Sequence, residues 1–219
     1  MKAPLDYRPP ATDPLPVIHL DEAMIVVDKP SGLLSVPGRL PQHKDSMISR
    51  LQAVYPDALT VHRLDMDTSG LMVFARGAEV HRTLSKAFEA KAISKRYVAL
   101  VHGVIVEDEG EVDLPILKDW PNRPKHMVHE DGKPSKTRWR VLERLDEKTL
   151  VELTPLTGRT HQLRIHMAEL GHGILGDGWY GSPESMAGAD RLCLHAAGLS
   201  FTHPATGEMC SFEADASFM

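Results

Sequence analysis

Short apolar runs separated by turn-forming residues constrain the fold of this chain more than any other feature. Met24–Asp28 is a β-branched run that stops at the Lys-Pro-Ser-Gly segment following it, and Leu71–Ala75 follows a polar turn at Asp65–Gly70. Further strands are predicted at Val61–Leu64, Tyr97–Val101, Thr137–Leu145, Thr149–Leu153 and Leu192–Ala196, with a hairpin around His203–Gly207. Because strands outnumber helices and several stand in hairpin order, the sequence predicts an α+β fold with a mainly antiparallel sheet.

Three segments show the three-to-four-residue apolar spacing of helices. They are residues 45–55, Ala78–Lys91 and Thr160–Leu170. Thr160 is the predicted N-cap of the last helix, and Gly171 is its predicted stop. Residues 1–16 hold five prolines, which predicts an extended arm. Residues 17–219 are expected to form a single domain.

Composition favours an intracellular globular protein. No apolar run approaches the roughly 20 residues that span a bilayer, and the N-terminal residues lack the apolar stretch of a secretory signal. The two cysteines, Cys193 and Cys210, do not make a disulfide framework, so reduced thiols in the cytoplasm are expected. A monomer is the default expectation.

Charge is distributed unevenly along the chain. The net charge is −5, yet the segment from Lys118 to Arg144 holds eight Lys or Arg against four acids. A second basic stretch comprises Lys86, Lys91, Lys95 and Arg96. This segregation has two interpretations: a positive face that steers a polyanion, or a solvated surface with patchy charge.

Four polar segments interrupt the apolar pattern and are the candidates for chemistry. They are His62–Gly70, Lys95–Tyr97, Thr157–His166, and Gly176-Asp177 together with Leu194–Ala196. The first contains many turn formers, so composition alone leaves a simple turn and a binding loop as equal alternatives.

Two side chains in these segments could serve a site. Arg164 is suited to hold a carboxylate by a bidentate bond and keep it ionised, although surface arginines are commoner. Tyr97 could pack in the core or stack on a base. No metal site is predicted, because His161 and His166 are five residues apart and do not share a helical face as the histidines of HExxH do.

The motifs resemble those of the RluA-type pseudouridine synthases. His62–Gly70 reads HRLDMDTSG and resembles the family signature HRLDxxTSG. Companion segments follow the family's order: Lys29–Gly32 (KPSG), Lys95–Tyr97 (KRY), Thr157–Arg164 (TGRTHQLR), Gly176-Asp177 and Leu194–Ala196 (LHA). The resemblance covers residues 20–213. Met66 and Asp67 fall at variable positions of the signature, so Asp67 inherits no role.

The resemblance implies a fold and residue roles. The fold would be a bent, mixed but mainly antiparallel sheet with flanking helices and a central RNA-binding cleft, without an added S4 domain. Asp65 would be the catalytic aspartate, Arg63 would fill the place of the displaced base, Tyr97 would pack on the flipped uracil, and Arg164 would pair with Asp65. Further RNA contacts are expected from His62, Arg96, Arg123, Lys125, Arg159 and His161.

The implied reaction isomerises uridine in structured RNA and needs no cofactor. Gly32–Gly38 and Asp119–Pro124 resemble the branch of the family that modifies both a tRNA anticodon-loop uridine and a 23S rRNA uridine. Two alternatives remain. One is a non-catalytic RNA-binding or ribosome-assembly module. The other is a Mg²⁺-dependent phosphatase, because Asp65–Thr68 also resembles a DxDxT motif, although the usual later acidic pair is missing.

Overall fold

A computed structural model describes residues 7–218 of the chain. Over these residues the strands are β1 Val17–Leu20, β2 Met24–Lys29, β3 Ala58–Thr60, β4 Ser69–Arg76, β5 Ser94–His102, β6 Glu109–Asp113, β7 Ile116–Lys118, β8 His126–Val128, β9 Lys136–Leu145, β10 Lys148–Pro155, β11 Leu194–Thr202 and β12 Met209–Glu213. The helices are α1 Met47–Val54, α2 Ala78–Glu89, α3 Gln162–Glu169 and α4 Pro183–Ala187, with a 3₁₀ turn at Pro41–His43. None of these helices combines the length and apolarity needed to cross a bilayer.

The described residues divide into two compact units. The first comprises residues 7–93 and 200–214, and the second comprises residues 94–199 and 215–218.

The single domain expected over residues 17–219 stays a prediction. Residues 1–6 of the predicted arm lie outside the described residues, and residues 7–16 contain no helix or strand.

In the first unit, the antiparallel strands run in the order β1-β2-β4, with β3 also paired to β4. Residues 24–27 and 71–75 are fully buried or nearly so and form its core. Helix α1 begins at a capping box between Ser46 and Ser49 and contributes its buried apolar face. The register pairs Lys29 with Gly70. The segment after β2 and the segment before β4 therefore start at the same point of the sheet.

In the second unit, the strand order is β11-β5-β10-β9-β6. The pairs β5–β10, β10–β9 and β9–β6 are antiparallel. Strands β5 and β10 supply Ala99, Val101, Val151 and Leu153 to one buried cluster. Helix α3 packs on β9 and β10 and adds Leu163 and Met167 to the same cluster. Strands β7 and β8 form a separate two-stranded hairpin.

The α+β class and the mainly antiparallel pairing are confirmed. The strand predicted at Val61–Leu64 is wrong: β3 ends at Thr60, and residues 61–64 are irregular. The reason is that the main chain of Leu64 bonds to a side chain and not to a neighbouring strand. The Ser35 hydroxyl donates to the carbonyl of Leu64 and accepts its N–H. The helix predicted at Thr160–Leu170 is α3, which is shorter and spans Gln162–Glu169, and Thr160 is not its N-cap. His161 precedes it in a left-handed conformation, with φ 57°.

A carboxylate ties the beginning of the first unit to its last hairpin. Asp21 accepts hydrogen bonds from His19 at 2.7 Å, from His203 at 2.9 Å, and from the N–H groups of Ala23 and Met24 at 2.7 and 2.8 Å. Partial burial raises the pKa of Asp21, but the four hydrogen bonds outweigh it and bring the pKa well below its usual range. The ionised carboxylate therefore stabilises this unit.

We expect Asp21→Ala to lower the free energy of unfolding at pH 7 by about 2–3 kcal/mol, because four donors lose their acceptor. The folded pKa lies below the ordinary value of 3.8. This stabilisation is therefore present above pH 3.8 and is lost as the pH falls through the folded pKa. Urea unfolding at pH 7, 5 and 3 measures it. Glu22→Ala, an exposed neighbour, is the control. Equal stability of the two variants at pH 7 would contradict the prediction.

Candidate active site

The loop that contains Asp65 joins β3 to β4. It contains both buried and accessible residues: Leu64 and Thr68 are buried, Asp65 is partly exposed, and Arg63 is exposed. The buried positions hold the loop in the unit, while the acidic and basic side chains stay within reach of solvent. This is the arrangement that a loop acting on an external molecule requires.

The segment after β2 holds the main chain of this loop on both sides of Asp65. Ser35 Oγ donates to the carbonyl of Leu64 at 2.7 Å, and Ser31 Oγ donates to the carbonyl of Asp67 at 2.7 Å. The carbonyl of Met66 accepts two hydrogen bonds at 2.9 Å, from Lys29 Nζ and from the N–H of Gly32. Gly32 adopts φ 84°, a conformation that favours glycine. We call residues 29–35 the loop clamp.

Lys29 is the centre of the loop clamp. Its side chain is fully buried, and its Nζ donates to the carbonyls of Pro30 at 2.8 Å, Leu33 at 2.8 Å and Met66 at 2.9 Å. An ammonium group has three donors, and here each has an acceptor. Burial lowers the pKa of Lys29 to about 7, against the opposing charges of Asp67, Asp65 and Asp28, which raise it.

His62 is fixed by two contacts within the first unit. Its ring stacks on Phe88, with centroids 4.4 Å apart, and its Nε2 accepts the N–H of Val73 at 3.0 Å. Nε2 is therefore unprotonated, and the ring contributes to the loop's structure. The expected RNA contact of His62 stays a prediction.

In the second unit, Arg164 forms a buried ion pair with Asp177. The guanidinium donates from Nε to Asp177 Oδ2 at 2.8 Å and from Nη2 to Oδ1 at 2.7 Å. The two side chains are 4% and 1% exposed. Asp177 also accepts the N–H groups of Trp179 at 2.9 Å and Tyr180 at 3.2 Å. The pairing predicted between Arg164 and Asp65 joins residues of different units and stays a prediction.

Aromatic rings surround this ion pair. The Arg164 guanidinium lies 5.0 Å from the ring centroid of Trp179 and 5.2 Å from that of Tyr180. Tyr180 Oη is 2.8 Å from Nδ1 of His161 and accepts the N–H of His126 at 2.9 Å. These ring contacts and the ion pair with Asp177 together fix the position of the guanidinium.

The other predicted site residues occupy different settings in the second unit. Tyr97 lies on β5, partly buried, and packs against the core cluster. Arg96, also on β5, is 3.4 Å from the carbonyl of Ala197 through Nη2. Arg123 is exposed, and Lys125 donates to the carbonyl of Trp179 at 2.8 Å. Arg159 is exposed and donates to the carbonyl of Pro134 at 3.3 Å.

Sequence reasoning missed several members of the site. Trp179 and Tyr180 were not considered, although two aromatic residues directly after Gly176-Asp177-Gly178 are a usable signal. Lys29 was assigned to a strand end and to a family motif but given no role of its own, because nothing in the sequence shows that its side chain is buried. Within residues 7–218, no three His, Cys, Asp or Glu side chains form a group that could hold a metal ion.

Comparison with known proteins gives a consistent result. Residues 23–169 match the family described as RNA pseudouridylate synthase. The chain is 52% identical over 215 residues to the dual-specificity RNA pseudouridine synthase RluA of Escherichia coli O6:H1, covering 97% of this chain and 98% of that protein. It is 52% identical to the protein of the same name from Vibrio parahaemolyticus, covering 92% and 83%.

A solved structure is also similar. It is titled human RNA pseudouridylate synthase domain containing 1, and it matches with a TM-score of 0.82 at 28% identity, covering 97% of this chain and 87% of that one.

We expect Lys29→Met to lower the free energy of unfolding by about 2–4 kcal/mol at pH 7.5, because it leaves buried carbonyl groups without their donor. The folded pKa of about 7 lies below the ordinary 10.5, so between these values the unfolded chain binds more protons than the folded protein. The contribution of Lys29 to the free energy of unfolding of the wild type therefore rises with pH across that window. The difference in this free energy between the wild type and Lys29→Met widens accordingly.

Urea unfolding at pH 7, 8.5 and 10 measures this deficit. Lys44→Met, which removes an exposed lysine, is the matched control and should change the stability by less than about 0.5 kcal/mol at each pH. A Lys29→Met deficit that stays constant or narrows with pH would contradict the assignment.

We expect Asp177→Asn to lower the free energy of unfolding by about 3–5 kcal/mol, because it leaves the buried guanidinium of Arg164 without its counter-charge. Asp190→Asn, an exposed carboxylate of the same unit, provides the comparison in chemical unfolding. A loss below about 1 kcal/mol would show that the pair contributes little to the stability of this unit.

Proposed function

Because the chain belongs to the RNA pseudouridylate synthase family and is an enzyme that isomerises uridine in RNA to pseudouridine, we propose that Asp65 is its catalytic carboxylate. The observation that carries this proposal is the loop clamp. Its hydrogen bonds hold the carbonyls of Leu64, Met66 and Asp67, which flank Asp65, while the aspartate side chain stays partly exposed. Catalytic groups require such a fixed backbone, because small displacements reduce the rate strongly.

The chemistry explains why a carboxylate is needed. The bond between uracil N1 and the ribose C1′ breaks, the base turns, and a bond forms between C5 and C1′. The hydrogen on C5 leaves as a proton, and N1 takes up a proton. No electrons are gained or lost. The Asp65 carboxylate serves as the nucleophile or base that this exchange requires.

The target base must leave its stack before the carboxylate reaches it, at a cost of about a few kcal/mol. We assign to Arg63, which is exposed, the role of filling the vacated place, and to Tyr97 the role of stacking on the displaced uracil. Stacking on an aromatic ring returns about 1–3 kcal/mol per base, which offsets much of the cost.

Arg164 is proposed to pair with the Asp65 carboxylate and to orient it. A guanidinium carries five N–H donors, and the bidentate pair with Asp177 uses two of them. Pairing with Asp177 and holding a second carboxylate are therefore compatible functions. In this proposal Asp177, Trp179 and Tyr180 position the arginine, and the arginine acts on the aspartate.

The substrates proposed are a tRNA anticodon-loop uridine and a 23S rRNA uridine in a similar loop. Similarity at 52% identity to proteins named dual-specificity RNA pseudouridine synthase supports two RNA targets. RNA contacts are assigned to His62, Arg63, Arg96, Arg123, Lys125, Arg159 and His161. The enzyme is proposed to act as a monomer in the cytoplasm, where both RNAs occur. Mapping of pseudouridines in total RNA, with and without this protein, identifies the modified positions.

We expect Asp65→Asn to reduce the release of tritium from RNA containing 5-tritiated uridine by about a thousandfold or more, because the reaction loses its nucleophile or base. Binding of the same RNA, measured by filter retention, should change by less than about threefold, because the substitution keeps the shape of the side chain.

Asp67→Asn is the matched control, since it removes a carboxylate two residues away in the same loop. It should keep tritium release within a few-fold of the wild type. Normal release by Asp65→Asn, or equal losses in the two variants, would exclude Asp65 as the catalytic group.

A further inference from the structure

The tip of the β7–β8 hairpin presents a tryptophan to solvent. The Trp120 side chain is 61% exposed, and residues 121–124 after it are exposed too. Tryptophan has a large apolar surface and is usually buried or placed at an interface. An indole held at a loop tip is therefore a candidate contact for another molecule.

Two cations accompany this ring. Lys118 Nζ lies 4.2 Å from the Trp120 ring centroid, and the Arg123 guanidinium carbon lies 5.4 Å from it. Among residues 7–218 neither of these side chains forms an ion pair. The basic residues of β9 differ, because acids neutralise them: Lys136 pairs with Glu111 and Asp113, Arg138 with Glu111, Arg140 with Glu152, and Arg144 with Asp108. The positive charge of the basic stretch is therefore available at the hairpin tip.

Hydrogen bonds link the residues of the hairpin tip to one another. The Asp119 carboxylate accepts the N–H of Asn122 at 3.2 Å and its side-chain amide at 2.9 Å, while the N–H of Asp119 donates to the carbonyl of Lys125 at 3.0 Å. Where the tip joins β8, Lys125 Nζ donates to the carbonyl of Trp179 and the N–H of His126 donates to Tyr180 Oη. The indole is thus presented by a rigid support, which lowers the entropic cost of binding.

We propose that Trp120 stacks on an unpaired base of the substrate RNA, other than the target uridine, while Lys118 and Arg123 contact the adjoining phosphates. The identity of the ligand rests on the proposed function. An aromatic ring flanked by cations is complementary to single-stranded RNA, in which base faces and phosphates alternate. A base in a duplex offers no free face, so the contact selects loops. Stacking tolerates any base, which suits an enzyme that acts on two RNAs.

Steady-state kinetics by tritium release test the proposal on the RNA stem-loop that mapping shows to be modified. Trp120→Ala should raise KM about 5- to 150-fold with kcat changed less than about threefold, because a contact present in both ground and transition states is lost. Trp120→Phe should recover most of the loss, since it keeps a ring. Val106→Ala, which truncates another exposed apolar residue of the same unit, should leave both constants unchanged.

The two cations have their own test. Lys118→Gln and Arg123→Gln should each flatten the dependence of log Kd on log salt concentration by about 0.7, the value for one phosphate contact to a single strand. An unchanged slope in both variants would overturn the phosphate contacts.

Tryptophan fluorescence gives a measurement that needs no turnover. Addition of the stem-loop should quench the wild-type emission, and Trp120→Phe, which retains only Trp139 and Trp179, should lose most of that quenching. If the wild type binds and quenches but releases no tritium, the proposed function fails and the stacking contact stands. If the wild type turns over and Trp120→Ala behaves as Val106→Ala does, the stacking contact is refuted and the proposed function stands.

Discussion

A fully buried lysine requires an acceptor for each hydrogen of its ammonium group, and the organisation of the first unit follows from how Lys29 meets that requirement. Its three acceptors are main-chain carbonyls, two from its own segment and one from Met66, next to Asp65. One side chain therefore shapes the turn after β2 and attaches the Asp65 loop to it. The antiparallel register that pairs Lys29 with Gly70 brings the two segments to the same sheet end, so the contact needs no long excursion of the chain.

The second unit also contains a buried basic side chain, Arg164, but its partner is a carboxylate, that of Asp177. Arg164 lies on α3, and Asp177 lies in a turn. The Asp177 carboxylate pairs with the arginine and also accepts the N–H groups of Trp179 and Tyr180 in that turn. In both units the hydrogen bonds of a buried polar side chain fix the main chain of an irregular segment. Removing one partner of a buried ion pair is costly because it leaves a charge unsatisfied, and the same cost disfavours alternative arrangements of the two side chains. The residues proposed to act, Asp65 and Arg164, are held by these contacts.

The sequence predicted the regular elements well where apolar periodicity determines them. Residues 45–55 and Ala78–Lys91 are helices with boundaries close to those observed, and Leu71–Ala75 lies within a strand. The prediction failed where a side chain, and not a neighbouring strand, provides the hydrogen-bond partner of the main chain. Val61–Leu64 has the composition of a strand, but the hydroxyl of Ser35, 29 residues away, takes the hydrogen bonds of Leu64. Local pattern carries no information about such a partner.

The same limit applied to the residues proposed to be functional. The motifs located Asp65, Tyr97 and Arg164, but the ion pair of Arg164 with Asp177 depends on a turn 13 residues later whose conformation is not encoded locally. At Thr160 the error had a local cause. The side chain of Gln162 accepts the N–H of Arg159 at 3.1 Å and the hydroxyl of Thr157 at 2.6 Å, and that turn leaves His161 at the helix start.

Charge shows why a count along the sequence is a poor guide to a binding surface. The segment from Lys118 to Arg144 carries an excess of basic residues, and its second half forms β9, where cross-strand acids pair with Lys136, Arg138 and Arg140. Cross-strand pairs of this kind satisfy the sheet and reduce the field available to a polyanion. A net acidic protein can therefore recognise RNA without a broad basic face, if a few cations without counter-ions stand beside an exposed ring. Among the described residues, the hairpin tip around Trp120 meets this condition. Under the proposed stacking, its contacts would be to base faces and phosphates, so one element would suit RNA loops of different sequence.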